Sequence, residues 1–190
     1  MERPRIVAVY GSPRRRGNTA TLLRQAVAGA RESGAQVDEI VLRGLELRHY
    51  GLGDYAKAVY LRDASDVIIE QCVLAVNDSG IGIKGEAHRN LIQDNEFYDT
   101  VFSWPWDAIK AGSGLETGGV VFYDPTPGRG NVIRNNVFHD YFDGLHVCPS
   151  DTAGLTNETD VYGNQVYRAG DDGMETDGQC SNVRIWGNTL

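Results

Sequence analysis

Apolar and polar positions along this chain follow two different periods. Ile6 to Tyr10 is a short β-rich apolar run closed by Gly11, which predicts a strand. Leu22, Leu23, Ala26, Val27 and Ala30 then share one helical face, with Asn18 as cap and Gly34 as stop, so residues 19–33 read as a helix. Val37 to Leu42 reads as a second strand, completing one βαβ unit. Beyond residue 50 the period changes. An aliphatic residue is followed three places later by Asn or Cys, and two beyond that by an apolar residue. The copies are Ile69, Cys72, Leu74; Ile92, Asn95, Phe97; Ile133, Asn136, Phe138; Val161, Asn164, Val166; and Ile185, Asn188, Leu190. Their anchors lie 23, 41, 28 and 24 residues apart, the mark of a repeat protein.

Each of the first four copies is followed by a second signature: SGIGI (79–83), DAIKA (107–111), DGLHV (143–147) and DGMET (172–176). Two short strands per repeat cannot bury an apolar face alone, so successive repeats must stack as coils. Asn at the same bend of each coil suits a left-handed backbone conformation, and its amide can bond the amide one coil above. The pattern resembles right-handed parallel β-helix proteins, the architecture of pectate lyases and polygalacturonases. That resemblance implies a mostly β solenoid over residues 51–190 and a polysaccharide or oligosaccharide as partner. The 41-residue spacing holds an insertion, residues 112–130, whose apolar run Val120 to Tyr123 either lengthens the coil or forms an irregular one. Leu190 follows the first strand of the fifth repeat, so the last coil is expected to expose core and edge, and to self-associate there.

Charge divides the chain at the same place. Residues 1–50 carry nine arginines against five acids, a net +4, and residues 51–190 carry nine cations against 21 acids, a net −12. An acidic body of this size repels phosphate, which argues against nucleic acid. No run of 18 apolar residues is present to span a membrane, and the opening apolar run is too short for a signal sequence, so a cytoplasmic chain is expected, although the resembling families are often secreted. Cys72, Cys148 and Cys180 make an odd count without metal-type spacing, and free thiols are expected.

The glycine-bounded loop after the first strand places backbone N–H groups and a helix N-terminus at one spot, where an anion is favoured. GSPRRRGNTATLL resembles the phosphate loop of flavodoxin-like NADPH-dependent FMN reductases. The resemblance implies FMN held by Ser12, Arg14, Gly17, Asn18 and Thr19, and an oxidoreductase as the alternative function. It covers about a quarter of the chain, and no further βαβ alternation follows Leu42. A truncated βαβ segment over residues 1–50 that caps the next module, or a fusion without activity of its own, stays open beside it.

Strand alternation lays the second signatures over one another. If Ile81, Ile109, Leu145 and Met174 point inward, Gly82, Lys110, His146 and Glu175 form an exposed column at steps of about 4.8 Å. Flanking columns hold Ser79, Asp107, Asp143 and Asp172 on one side, and Lys84, Gly112, Cys148 and Asp177 on the other. Two chemistries fit. A lyase would use Lys110 or His146 to take the proton α to a uronate carboxyl, with Asp172, Glu175 and Asp177 holding calcium. A hydrolase would use Asp172 and Glu175 as acid and base. GDDGMETDG resembles the paired acids of polygalacturonases, without their other signatures. Trp104 and Trp106 offer a platform for a sugar face, with Asp107 and Asp143 as further substrate contacts, or else the tryptophans fill the gap beside the insertion. The aspartates before Gly or Ala also suit plain turn formation, and Lys110, His146 and Glu175 a solvated charge ladder.

Overall fold

The computed structural model describes residues 5–8, 36–51, 56–110, 116–123, 128–149 and 156–190. Strands of two to eight residues wind into coils, and each full coil adds one strand to each of three sheets. All of their pairings are parallel. The first sheet runs Arg5–Ala8, Gln36–Arg43, Val67–Glu70, Leu91–Gln93, Val132–Arg134, Asp160–Tyr162, Arg184–Trp186. The second holds Glu46–Arg48, Val73–Ala75, Glu96–Tyr98, Val137–His139 and Gln165–Tyr167; the third holds Lys57–Arg62, Ser79–Lys84, Gly118–Tyr123, Asp143–His146 and Met174–Glu175.

The repeat anchors stack into the core as the sequence pattern requires. Ile69, Ile92, Ile133 and Val161 pair in register along the first sheet and are fully buried. Along the second, Leu74, Phe97, Phe138 and Val166 do the same, with the Phe97 and Phe138 rings stacked 4.6 Å apart. Each coil thus buries one apolar face against the next.

The amide ladder is present. Asn95, Asn136, Asn164 and Asn188 each receive, on the side-chain oxygen, the backbone N–H of the equivalent residue one coil back. The amide nitrogens of Asn95, Asn136 and Asn164 donate to the next oxygen at 2.9–3.0 Å, and to a backbone carbonyl of the preceding coil as well. A second, shorter ladder joins Asn90 to Asn131. The expected left-handed conformation lies one residue earlier than the Asn. Gln71, Asp94 and Asn135 have φ of 54° to 55°, and Gly44, Gly163 and Gly187 φ of 61° to 67°. The residue ahead turns the corner, which leaves the Asn free to aim its amide along the axis.

Four other expectations change. The coil begins before residue 51: Leu42 pairs with Ile69 and Leu47 with Leu74, so Leu42, Leu45 and Leu47 form an earlier copy with Leu in the Asn place. Gln36–Arg43 pairs in parallel with Arg5–Ala8, and its other edge is bonded into the repeat sheet, so the expected second strand of a βαβ unit belongs to the coil. Ser12, Arg14, Gly17, Asn18 and Thr19 lie outside the described residues. DAIKA is not a strand: Trp106–Lys110 is a short helix, started at Pro105 and favoured by Asp107 in its first turn and Lys110 in its last. The strand that continues the third sheet is Gly118–Tyr123, from inside the insertion. Finally, Cys148 and Cys180 are joined in a disulfide, Cα to Cα 5.1 Å, and only Cys72 is a free, buried thiol.

Candidate functional site

The outer face of the third sheet carries three columns of side chains set by strand register. One is Lys57, Ser79, Gly118 and Asp143; the next is Tyr60, Gly82, Val121, His146 and Glu175. A third begins Arg62, Lys84, Tyr123. His146 and Glu175 are therefore neighbours in one column, as the sequence reading requires. Lys110 and Asp107 are not; their places are taken by Val121 and Gly118.

A cleft of 340 Å³ opens on this face, lined by Glu116, Val121, Tyr123, Asp143, His146 and Glu175 among others. His146 holds its centre. The Nε2 atom lies 2.5 Å from the Cys148 carbonyl oxygen, which can only accept, so Nε2 carries a proton. Nδ1 faces Glu175 Oε2 at 3.2 Å, so the two side chains share whatever proton lies between them. Both are largely shielded, with 16% and 22% of their side-chain surface exposed.

The acids around the histidine are held back from ionising. Burial, followed by the charges of Asp177 and Asp172, raises the Glu175 carboxyl to about 7. Burial likewise raises Asp143 to about 7, with Glu175, Asp171 and Glu116 adding repulsion and the Asp172 backbone N–H, 3.2 Å away, opposing it. Lys110 reaches this acidic rim from its helix. Its Nζ lies 3.1 Å from Asp171 and 3.3 Å from Glu116, and the bond to Asp171 raises its pKa, so it stays an ammonium ion. Its nitrogen also lies 5.0 Å from the centre of the Phe142 ring and 5.7 Å from that of Trp106.

Trp104 and Trp106 are 45% and 47% exposed, and Trp106 packs tilted on Phe142 at 5.3 Å. Phe142, Val101 and Ile109 make a small core under the helix, so the apolar residue of DAIKA is buried, but beside the coil instead of within it. Asp107 is exposed on that helix, and Gly112 lies outside the described residues.

The acids expected to hold a cation divide between two groups. His146, Glu175 and Asp177 bring ligand atoms within 4.8 Å of one another, as do Asp143, Asp171 and Asp172. Each triad supplies three ligands, and calcium takes six to eight oxygens, so water or substrate would have to complete either shell.

Glu116, Tyr123, Val121 and Asp171 escaped the sequence reading. One signal could have found the first three. From the second coil on, the third-sheet segments share a glycine: Gly80, Gly119 and Gly144 stand second in their strands and Gly173 directly precedes Met174–Glu175, and DAIKA has none. A Cβ at Gly80 would lie 2.7 Å from the Phe97 ring, and one at Gly119 2.4 Å from Phe138. That glycine is where the coil turns over its own aromatic core, and GGVVF has it.

The family model described as right-handed beta helix region matches residues 30–190. No curated protein matches the chain significantly, and no solved structure does.

Proposed function

This chain belongs to the right-handed β-helix family, and from that premise we propose that the cleft on its third sheet binds an oligosaccharide and hydrolyses a glycosidic bond. The observation that carries this reading is a pair of carboxyl groups, Asp143 and Glu175, both raised to about 7 in one cleft. Carboxyls in that range can give or take a proton near neutral pH, which is what acid and base in glycoside hydrolysis need.

Glu175 suits the acid. Protonated, it delivers its proton to the glycosidic oxygen as the bond to the anomeric carbon breaks, and His146 fixes the direction of that proton through its 3.2 Å contact. Asp143 suits the base, withdrawing a proton from the water that attacks the anomeric carbon. The products are a new reducing end and a new free hydroxyl, and the carboxyls return to their starting charge when the proton passes back. Asp172 is exposed, and its backbone N–H binds Asp143. It therefore serves as a support to Asp143 more readily than as the second catalytic carboxylate.

Elimination is the weaker chemistry for this face. Lys110 is paired with two acids and held as an ammonium ion, so it is a poor base. A polysaccharide substrate and a cystine beside the cleft also fit an oxidising, extracytoplasmic compartment.

The test is to incubate the protein with neutral and acidic glycans and follow both new reducing ends and the ultraviolet absorbance of unsaturated uronates. Reducing ends without absorbance, lost in Glu175→Gln and in Asp143→Asn, are expected. Calcium-dependent growth of absorbance would replace hydrolysis with elimination, and no product from any glycan would leave binding alone.

A further inference from the structure

Charge at the cleft is one-sided. Glu116, Asp143 and Glu175 line it, and Asp171, Asp172 and Asp177 join them through the two groups whose side-chain atoms come within 4.8 Å of one another. Against these acids stand Lys110 and His146. Residues 111–115, 124–127 and 150–155, outside the described residues, contain no lysine, arginine or histidine. Beyond Tyr123 the balance returns, with Lys57, Arg62 and Lys84 beside Asp63, Asp78 and Glu86. The excess of negative charge is therefore local to the cleft. Burial is the first cause that raises Glu175 and Asp143, and repulsion from the neighbouring acids adds to it, as expected of a cluster short of counter-charge.

One ammonium is already seated on this rim. Lys110 Nζ lies 3.1 Å from Asp171 and 3.3 Å from Glu116, with the centres of the Phe142 and Trp106 rings 5.0 Å and 5.7 Å away. Two carboxylates and two rings suit a primary ammonium, which donates three hydrogen bonds and accepts none. The chain fills that cage itself. Asp172 and Asp177 are left over: both are exposed, and no cationic side chain pairs with either among the described residues. Asp172 groups with Asp143 and Asp171, and Asp177 with Glu175 and His146, so one unpaired carboxylate accompanies each member of the proposed catalytic pair.

We propose that the cleft takes a cationic glycan, an amino-sugar chain with free amines, whose ammonium groups pair with Asp172 and Asp177. The proposal rests on the glycan reading of the cleft and supplies its substrate class. A uronate or sulfated chain would bring like charge to a face already crowded with it, and a neutral or N-acetylated chain would leave both carboxylates without a partner. An ammonium on a sugar ring carries the same three donors that Lys110 presents. Three acceptors at about 2.9 Å from one nitrogen stand up to about 4.7 Å apart, within the span of either group.

Binding is measured at about pH 6, where sugar amines are charged, in the Glu175→Gln protein, so that no turnover intervenes. The probes are a glucosamine oligosaccharide and its fully N-acetylated counterpart, which share one backbone and differ in charge. The amine form is expected to bind about tenfold more tightly. Asp172→Asn with Asp177→Asn should abolish that preference and added salt should shrink it, while Asp63→Asn with Glu86→Gln, which removes as much charge from the balanced end, should keep it. Equal affinity for the two ligands, a preference that survives Asp172→Asn with Asp177→Asn, or one lost equally in the distant pair would overturn the proposal. So would a galacturonic acid oligosaccharide bound more tightly than the amine. Selective amine binding with no cleavage by the unmutated protein would sink the hydrolytic reading and leave the charge selection standing. Cleavage of acetylated and free-amine chains at equal rates, with equal binding, would do the opposite.

Discussion

Asn136 sits in the middle of the amide ladder with every polar atom of its side chain engaged, and no exposed surface. Asn136→Ala would strand the Asn95 backbone N–H in a dry interior and take one donor each from the Ile92 carbonyl and the Asn164 amide oxygen. A loss of about 2–4 kcal/mol is expected, read from urea denaturation. Asn188 is only half-buried, so water can reach the groups that Asn188→Ala would free, and that change should cost less. Equal losses would mean that ladder position does not matter. The raised carboxyls give a second expectation at this scale. Asp143 and Glu175 hold protons more tightly folded than unfolded, so their contribution is full below about pH 4 and is lost as pH rises through about 7. Glu175→Gln and Asp143→Asn should therefore melt at higher temperature than the parent at pH 8, with the gain gone at pH 4. A lower melting temperature at pH 8 would show that the ionised groups are stabilised by partners the burial argument omits.

Among the elements, the segment from Met174 to Ser181 bears most on the site, because it supplies Glu175 and Asp177 and is tied back at both ends. Met174–Glu175 pairs with the strand of His146, Gln179 donates to the Pro149 carbonyl at 2.8 Å, and Cys180 is bonded to Cys148. The crosslink spans 32 residues. Closing a loop of that length restricts the unfolded chain by about 3–4 kcal/mol, so Cys148→Ser with Cys180→Ser should lose stability of that order in urea. Retention of full stability would mean that the pairing adds nothing to the coil. The same element shows how far the sequence could be read. The register of Leu145 with Met174, and hence the meeting of His146 and Glu175, followed from alternation alone. The third-sheet strand of the insertion did not: DAIKA imitates the apolar spacing, and only the absence of a glycine that can pass over Phe138 distinguishes it from GGVVF. The disulfide was illegible, since two cysteines 32 residues apart become neighbours only after one full coil has been laid on another.

At the scale of the whole molecule, stability should follow the stack. Coils in the middle have neighbours on both sides, while in the last one Ile185, Trp186 and Leu190 are 42%, 48% and 77% exposed. Amide hydrogen exchange is expected to be slowest over Ile92 to Val137 and fastest over residues 184–190, as in other stacked repeats whose stability is a sum over neighbours. Uniform protection along the chain would show instead that the coil opens as a single unit.

The parallel register has one more effect. Neighbouring coils can shift along the axis only in whole steps, because each amide of the ladder must meet the next, so any two side chains on the third sheet are a fixed number of steps apart. The protein is in this sense a ruler with engraved divisions. The span from Lys84 to Glu175 cannot drift by fractions under mutation; it can change only when a coil is gained or lost. Relatives whose side chains on this face stand farther apart or closer together should then differ from this chain by an entire repeat of two to three dozen residues, with the chemistry at each end left as it is.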